Sequence, residues 1–291
     1  GEIGFGEVFM EADWSTPALP LLICALIDNL ESIPGMAGSR SRALTFHLFR
    51  ILNRFSHWRR RNTRSNSKRN IQEHYDLSND FYSLWLDETL TYSSAWFNGE
   101  EPLEQAQENK YRRLCEKLQL KPGMRVLEIG CGWGGFSIHA ARHFGVHMTA
   151  ITISEAQYQK ANERVEKEGL ADKVDILLCD YREVNGEFDA IVSIEMLEAV
   201  GHQFLRTYFD QCHKLLKPDG RVGLQVIVCP DSRYKTMRNS VDWIKKHIFP
   251  GGQLPSIKAL LDSANATGDL YLQHLENFGL HYAKTLKLWR E

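Results

Sequence analysis

Between Glu128 and Gly135 the chain reads Glu-Ile-Gly-Cys-Gly-Trp-Gly-Gly, an acid followed by a cluster of glycines. Glycines in such a loop let the backbone approach a ligand with no Cβ in the way. Gly130, Gly132 and Gly135 fit the spacing G-x-G-x-x-G, which alone is a weak dinucleotide signal. A dinucleotide site asks for an acid about 20 residues on, at the end of the second strand. Here that strand ends in Ala150, Ile151 and Thr152. The competing ligand is S-adenosylmethionine, which offers an ammonium, a carboxylate and a sulfonium. Glu128 would order the loop and complement the cation. Asp180, closing the run Val174–Asp180, would accept from the adenine amino group. These residues favour adenosylmethionine over a dinucleotide, with a loop that holds no ligand as the remaining reading.

Other chemistry finds less support. His139, His143 and His147 fall at i, i+4 and i+8, but a strand pattern begins near the last, and no metal is expected. No G-x-S-x-G elbow is present for a Ser/His/Asp hydrolase. The six cysteines (24, 115, 131, 179, 212 and 229) have no paired spacing. That predicts free thiols, a reducing compartment and a cytoplasmic location.

The elements that position the loop are legible as five apolar runs: Arg125–Gly130, Val146–Thr152, Val174–Asp180, Phe188–Ile194 and Arg221–Val228. Helical stretches separate them, one from Phe136 and one from Ser154, whose hydroxyl is a good N-cap. Pro218, Asp219 and Gly220 predict a turn before the last run. Alternating units at this spacing predict an α/β fold, a doubly wound, mostly parallel sheet. In such sheets ligands bind beyond the carboxyl ends of the strands.

The 291 residues, 43% apolar and 25% charged, suit one large domain with a small companion. Residues 1–57, with helical patterns over Ala18–Leu30 and Leu44–Phe55, predict a smaller N-terminal domain. Residues 58–70 form a basic linker, and 71–291 the catalytic domain. The chain starts without Met and in mid-pattern, which reads as a piece of a longer protein. Its longest apolar stretch, Ala18–Ile27, is half the roughly 20 residues needed to cross a bilayer. The formal net charge of −2 conceals a segment, residues 32–72, that has no acid and carries +10, leaving −12 elsewhere. Such asymmetry points to an anionic partner.

Several strings together resemble the cyclopropane-fatty-acyl-phospholipid synthases and the mycolic acid cyclopropane synthases. These are His74–Asp87, Thr91–Phe97, Lys121–Phe136, Ile248–Ser256 and Asn277–Tyr282, over the last three quarters of the chain. Gly1–Trp14 also resembles the smaller N-terminal domain of the full-length bacterial synthases. The resemblance implies a Rossmann-like methyltransferase fold and transfer of the adenosylmethionine methyl group to the double bond of an unsaturated phospholipid acyl chain. The cofactor site would then use Tyr92, Ser93, Glu128, Gly130, Cys131, Gly132, Gly134, Thr152, Gln157, Asp180, Tyr181 and Arg182. Thr152 and Gln157 would take over the hydrogen bonds of the missing ribose-binding acid. The transfer creates a carbocation that must lose a proton, and in the family a bound bicarbonate accepts it. Glu198, Tyr282 and the Ile227 backbone match groups of that anion site.

Three residues depart from the family pattern. Gln225 stands where the synthases place a histidine, Ser94 where many have cysteine, and Ala199 where the motif reads Glu-His-Val-Gly. Gln225 can donate to bicarbonate but cannot carry a proton near neutral pH. The product is therefore open between a cyclopropane and a methylene or methyl branch. Family members also continue past Glu291 into further helices that help enclose the lipid. For basic residues 40–69 the substrate class favours docking to an anionic membrane surface. A solvated linker is the plain alternative, and nucleic acid is not expected because no recognised module is present. The expected protein is peripheral at the inner membrane surface, with a homodimer left open. Competing functions are a small-molecule C- or N-methyltransferase and a non-catalytic lipid-binding protein.

Overall fold

A computed structural model of the chain describes residues 2–29, 32, 63 and 78–291. The basic segment, the helix expected over Leu44–Phe55 and nearly all of the linker lie outside the described residues. The first elements are α1 (Glu2–Met10) and α2 (Leu19–Asp28), the second close to the helix expected from the sequence. The short α3 (Asn79–Ser83) starts on the Ser78 cap, and α4 (Leu103–Lys117) precedes the sheet.

Then come β1 (Arg125–Ile129), α5 (Gly135–Phe144), β2 (His147–Thr152), α6 (Glu155–Lys167), β3 (Val174–Leu178), β4 (Phe188–Ile194), α7 (Leu205–Leu215) and β5 (Leu216–Gln225). The strands form one sheet in the order β3-β2-β1-β4-β5, every pairing parallel. The chain winds outward from β1 to β3 and returns to β4, so strand order reverses beside β1. That reversal opens a crevice at the carboxyl ends of β1 and β4. All five predicted strands are present. The turn expected at Pro218–Gly220 appears as an irregularity inside β5: Phe188 pairs with Leu216 but Ala190 with Arg221. Asp219 takes a left-handed φ of 63° within it.

Strand periodicity assigns the two faces. Val126 of β1 packs toward α4, α5 and α6, with Tyr111, Cys115, Phe136, Ile138 and Val165. Leu127 and Ile129 point to the opposite layer, against Leu205, Phe209 and Cys212 of α7. Successive strand residues alternate faces. Glu128 therefore shares the face of Val126 and is driven in among the α4 and α5 side chains.

The chain continues with α8 (Asp231–Asn239), α9 (Trp243–His247), α10 (Ile257–Asn265) and α11 (Gly279–Arg290). Here α1 docks on α9, with Glu7 accepting from Lys246 at 2.5 Å and Gly6 lying directly against the Trp243 ring. All six cysteines are unpaired.

Candidate active site

A cavity of about 210 Å³ opens at the carboxyl ends of β1 to β4. The loop after β1 forms its floor, with Glu128, Gly130, Cys131 and Gly132 on the wall. The ends of β2 and β3 supply Thr152 and Asp180 to Arg182, α6 supplies Gln157, and the segment before α4 supplies Tyr92 and Ser93. Residues from five separate stretches thus meet where the sequence expected a cofactor. Gly134 is the exception. It lies off the wall and caps α5 at φ 81°, where an added Cβ would lie 3.5 Å from Ala161 Cβ, so it shapes the turn behind the cavity.

The loop is built for close approach. Gly132 has φ 53°, and a Cβ there would meet no heavy atom within 4 Å. The space it would fill belongs to the cavity. Gly130, at φ 82°, meets the opposite constraint, since a Cβ would lie 2.6 Å from Met196 Cγ. Only glycine adopts both conformations without strain. The Cys131 N–H donates to Ile151 O at 2.9 Å, tying the loop to β2.

Side chains on this wall are set by one another. Thr152 Oγ1 donates to Gln157 Oε1 at 2.9 Å, which fixes the carbonyl end of the amide and leaves its NH2 end as the donor. Ser154 caps α6 through the Gln157 N–H at 3.3 Å, as the sequence predicted. Asp180 Oδ1 accepts from the Arg182 backbone N–H at 3.0 Å and from its Nε at 2.7 Å, and Oδ2 pairs with the same guanidinium. Ser93 Oγ accepts from Lys110 Nζ at 2.7 Å. These features fit adenosylmethionine: an uncrowded glycine cradle, an amide and hydroxyl pair at the β2 end, and acids near both ends of the groove.

Glu128 and Lys110 are both buried. Burial pushes the Glu128 carboxyl up to about 8, against the pull of Ser137 and Lys110. The Ser137 hydroxyl donates to Glu128 Oε2. Burial likewise pulls Lys110 down to about 7, opposed by Glu195, Asp87 and Glu128. A buried charge is costly unless paired and hydrogen-bonded.

The second wall follows β4. Glu195 and Glu198 both open onto the cavity and are otherwise enclosed by protein. Glu195 Oε1 accepts from the Ser94 backbone N–H at 2.9 Å and from Gln225 Nε2 at 2.8 Å. Gln225 Nε2 also donates to Ser94 O at 3.1 Å. Glu198 Oε1 accepts from the Ile227 backbone N–H, and its Oε2 is buried without a partner among the described residues. Burial, then the neighbouring Glu195 charge, pushes Glu198 up to about 8. Glu195 is also raised by burial, moderated by Gln225, Ser94 and Lys110. Tyr282 lies on α11, half-buried. Burial and the charges of Glu195 and Glu198 raise its phenol. The residues expected at an anion site, Ser94, Gln225, Ile227, Glu198 and Tyr282, are therefore gathered in one place, mostly behind the cavity surface.

An aromatic shell closes the cavity's outer side. Tyr92 lies 5.3 Å from Trp85, 5.4 Å from Trp289 and 6.4 Å, stacked, from Phe249. Trp133 packs 5.0 Å from Tyr82, and its Nε1 donates to Asn79 Oδ1 at 2.8 Å. Ring faces turned toward a cavity stabilise cationic charge and exclude water.

Sequence reasoning missed Glu195, Lys110 and the wall position of Trp133. The signal for Glu195 was present: it is the first acid of Glu-Met-Leu-Glu, where β4 ends at the cavity. Lys110 left no signal, because an α4 lysine reads as solvent-facing until its depth is known.

Residues 62–291 match the family described as Mycolic acid cyclopropane synthetase. The whole chain aligns at 39% identity with 68% of the tuberculostearic acid methyltransferase of Mycobacterium tuberculosis. It aligns at 40% identity with 72% of the cyclopropane-fatty-acyl-phospholipid synthase of Escherichia coli. Among solved structures, the mycolic acid cyclopropane synthase CmaA1 complexed with SAH and CTAB superimposes with a TM-score of 0.70 at 34% identity. That match covers 76% of this chain and 81% of the other.

Proposed function

The chain belongs to the mycolic acid cyclopropane synthetase family, and on that premise we propose that it methylates the double bond of an unsaturated phospholipid acyl chain. It is an S-adenosylmethionine-dependent methyltransferase of Rossmann-like fold. The observation that carries the substrate reading is one cavity, with a glycine cradle on one wall, two carboxylates on another and aromatic rings at its rim. A polar acceptor would ask for donors where this site has aromatic and aliphatic groups.

Bound adenosylmethionine supplies an electrophilic methyl group. The Gly130–Gly132 backbone admits it, the Thr152–Gln157 pair offers hydrogen bonds at the β2 end, and Asp180 to Arg182 line the β3 end. Attack by the alkene leaves a carbocation on the acyl chain. Tyr92, Trp133 and Phe249 shield it from water, and the Glu195 carboxylate on the β4 wall supplies negative potential. Its charge is resolved by loss of a proton, giving a cyclopropane or a methylene or methyl branch. One relative is named a methyltransferase and another a cyclopropane synthase, at nearly equal identity, so overall likeness does not decide the product.

The ten basic residues between Arg40 and Arg69 are read as a membrane-surface anchor. Each Lys or Arg near an anionic leaflet contributes about 1 kcal/mol, so four engaged would give about 4 kcal/mol. No helix among the described residues is long and apolar enough to cross a membrane. The charge of the basic segment supports the reading of peripheral attachment at the inner membrane surface. Added salt is expected to release the protein from anionic vesicles, because surface charge is screened beyond about 8–10 Å.

The test is incubation with liposomes of monounsaturated phospholipid and methyl-labelled adenosylmethionine. Incorporation of label into the acyl chains is expected, and mass spectrometry before and after hydrogenation separates ring from branch. A protein that binds the cofactor yet labels no lipid, or that labels a soluble amine instead, would overturn the reading.

A further inference from the structure

The family resemblance implies a bound bicarbonate as proton acceptor and assigns its donors here to Gln225, the Ile227 N–H, Ser94 and Tyr282. The donor set does not fit a free anion. Glu195 Oε1 already takes both the Ser94 N–H (2.9 Å) and the Gln225 amide (2.8 Å). The Ile227 N–H is taken by Glu198 Oε1. An anion entering from solution would find the Ser94, Gln225 and Ile227 donors engaged and the Glu195 carboxylate as a neighbour, where like charge disfavours it.

We infer that the Glu195 carboxylate occupies the anion position and is itself the base that removes the proton from the carbocation. This rests on the lipid-methylating reading above. Four observations converge. Glu195 lines the cavity beside Glu198, Met196 and the glycine loop. Its oxygen is held by the donors that would otherwise hold bicarbonate. Its backbone N–H donates to Gln225 O at 2.8 Å, so both ends of the residue are fastened to the end of β5. Its φ is 49°, an uncommon conformation for a residue other than glycine. Such strain persists where surrounding contacts impose it, and it concentrates at functional sites. The departure at Gln225 then has a physical sense. A neutral amide donates to a fixed carboxylate without competing for its proton, whereas a histidine at that place would titrate with it.

The step balances as follows. For ring closure, a C–H bond of the transferred methyl group breaks. Its electron pair forms the new C–C bond to the cationic carbon, and the proton passes to a Glu195 oxygen. For a methylene branch, a hydride shift first moves the cation to the methylated carbon, and the same electron pair becomes the C=C bond. In both cases Glu195 ends as a neutral acid and returns its proton to solvent before the next turnover. Tethering the base replaces the capture of a dissolved anion by an intramolecular contact.

The experiment has two readouts. In the first, [13C]bicarbonate is titrated into the whole protein with S-adenosylhomocysteine and followed by 13C NMR. Wild type is expected to show no bound bicarbonate. Glu195→Gly, which suits the positive φ and vacates the donors, is expected to bind it. In the second, labelled-liposome turnover is measured in buffer stripped of carbon dioxide. Wild type is expected to be unaffected by removing or adding bicarbonate. Glu195→Gly and Glu195→Gln should each lose about 100-fold, the scale of a general base. Added bicarbonate or formate should restore the glycine variant in part and leave the glutamine variant, whose amide still fills the nest, unrestored. Calorimetric binding of S-adenosylhomocysteine confirms that each variant is folded. Bound bicarbonate in wild type, or wild-type activity that needs bicarbonate while Glu195→Gln stays active, would overturn the assignment. If no lipid is labelled at all, the substrate reading fails, and the NMR titration still decides whether Glu195 holds the anion position.

Discussion

The two walls of the cavity are made differently. On the cofactor side the shaping groups are backbone: a loop with Gly130 and Gly132 at positive φ, anchored to β2 through the Cys131 N–H. On the β4 side they are side chains: two enclosed carboxyl groups, each held at one oxygen by donors from other elements. A backbone wall tolerates many side-chain identities but no added Cβ. A side-chain wall tolerates small shifts in the backbone but not the loss of a charge or donor. The first wall should therefore govern whether the cofactor binds, and the second what happens after it has bound.

The largest expected effect breaks the first wall alone. Gly132→Val places a β-branched side chain at φ 53° in cavity space. Left-handed backbone costs such a residue about 1–2 kcal/mol, and the added methyls exclude the ligand. S-adenosylhomocysteine affinity by calorimetry should fall at least about 100-fold, equivalent to about 2.8 kcal/mol. Unchanged affinity would show that the loop does not cradle the cofactor. Next in size, Glu198→Gln should leave that affinity intact while turnover falls about 100-fold, a typical loss for one electrostatic group. If affinity and turnover fell together, the two walls would not be separable in the way their construction implies.

A third, smaller effect is read in stability. Glu198 and Glu128 are both raised to about 8 by burial, above the 4.5 of an unfolded chain. Between those limits the folded state binds more protons than the unfolded one, so stability falls as pH rises from about 4.5 to 8. Lys110, lowered to about 7 by burial, acts with the opposite sign between 7 and its unfolded 10.5, where stability rises with pH. The net fall is therefore sharpest between pH 5 and 7, at most about 1.4 kcal/mol per pH unit for one carboxyl. Urea midpoints across that range should slope downward in wild type and less steeply in Glu198→Gln. An equal slope in the variant would place the Glu198 proton elsewhere.

The same contrast explains what could be read in the sequence. The glycine loop, the five strands and the Ser154 cap each lie within a dozen residues, where periodicity and turn chemistry report directly. The family resemblance gives Thr152 and Gln157 as ligand groups, and both line the cavity. The β4 wall joins partners far apart in the chain: Ser94 and Glu195 are 101 residues apart, Glu195 and Gln225 30. No local pattern announces that Glu195 will consume the donors near Glu198. Gly134 shows the converse, because spacing within a motif does not say which glycine lines the cavity and which turns the chain.

The smallest effect tests whether side chains add anything to the backbone wall. Thr152→Val keeps the shape of the β2 end and removes one hydroxyl, which now donates to Gln157 Oε1 and accepts from the Ser154 N–H at 3.1 Å. Without it the Gln157 amide loses one constraint on its orientation, and the Ser154 N–H loses an acceptor. A hydrogen bond of this kind contributes about 0.5–1.5 kcal/mol, so cofactor KM should rise about 2- to 12-fold with kcat unchanged. A kcat loss at constant KM would mean that Thr152 acts on the reacting centre, and the division of labour between the walls would have to be redrawn at the end of β2.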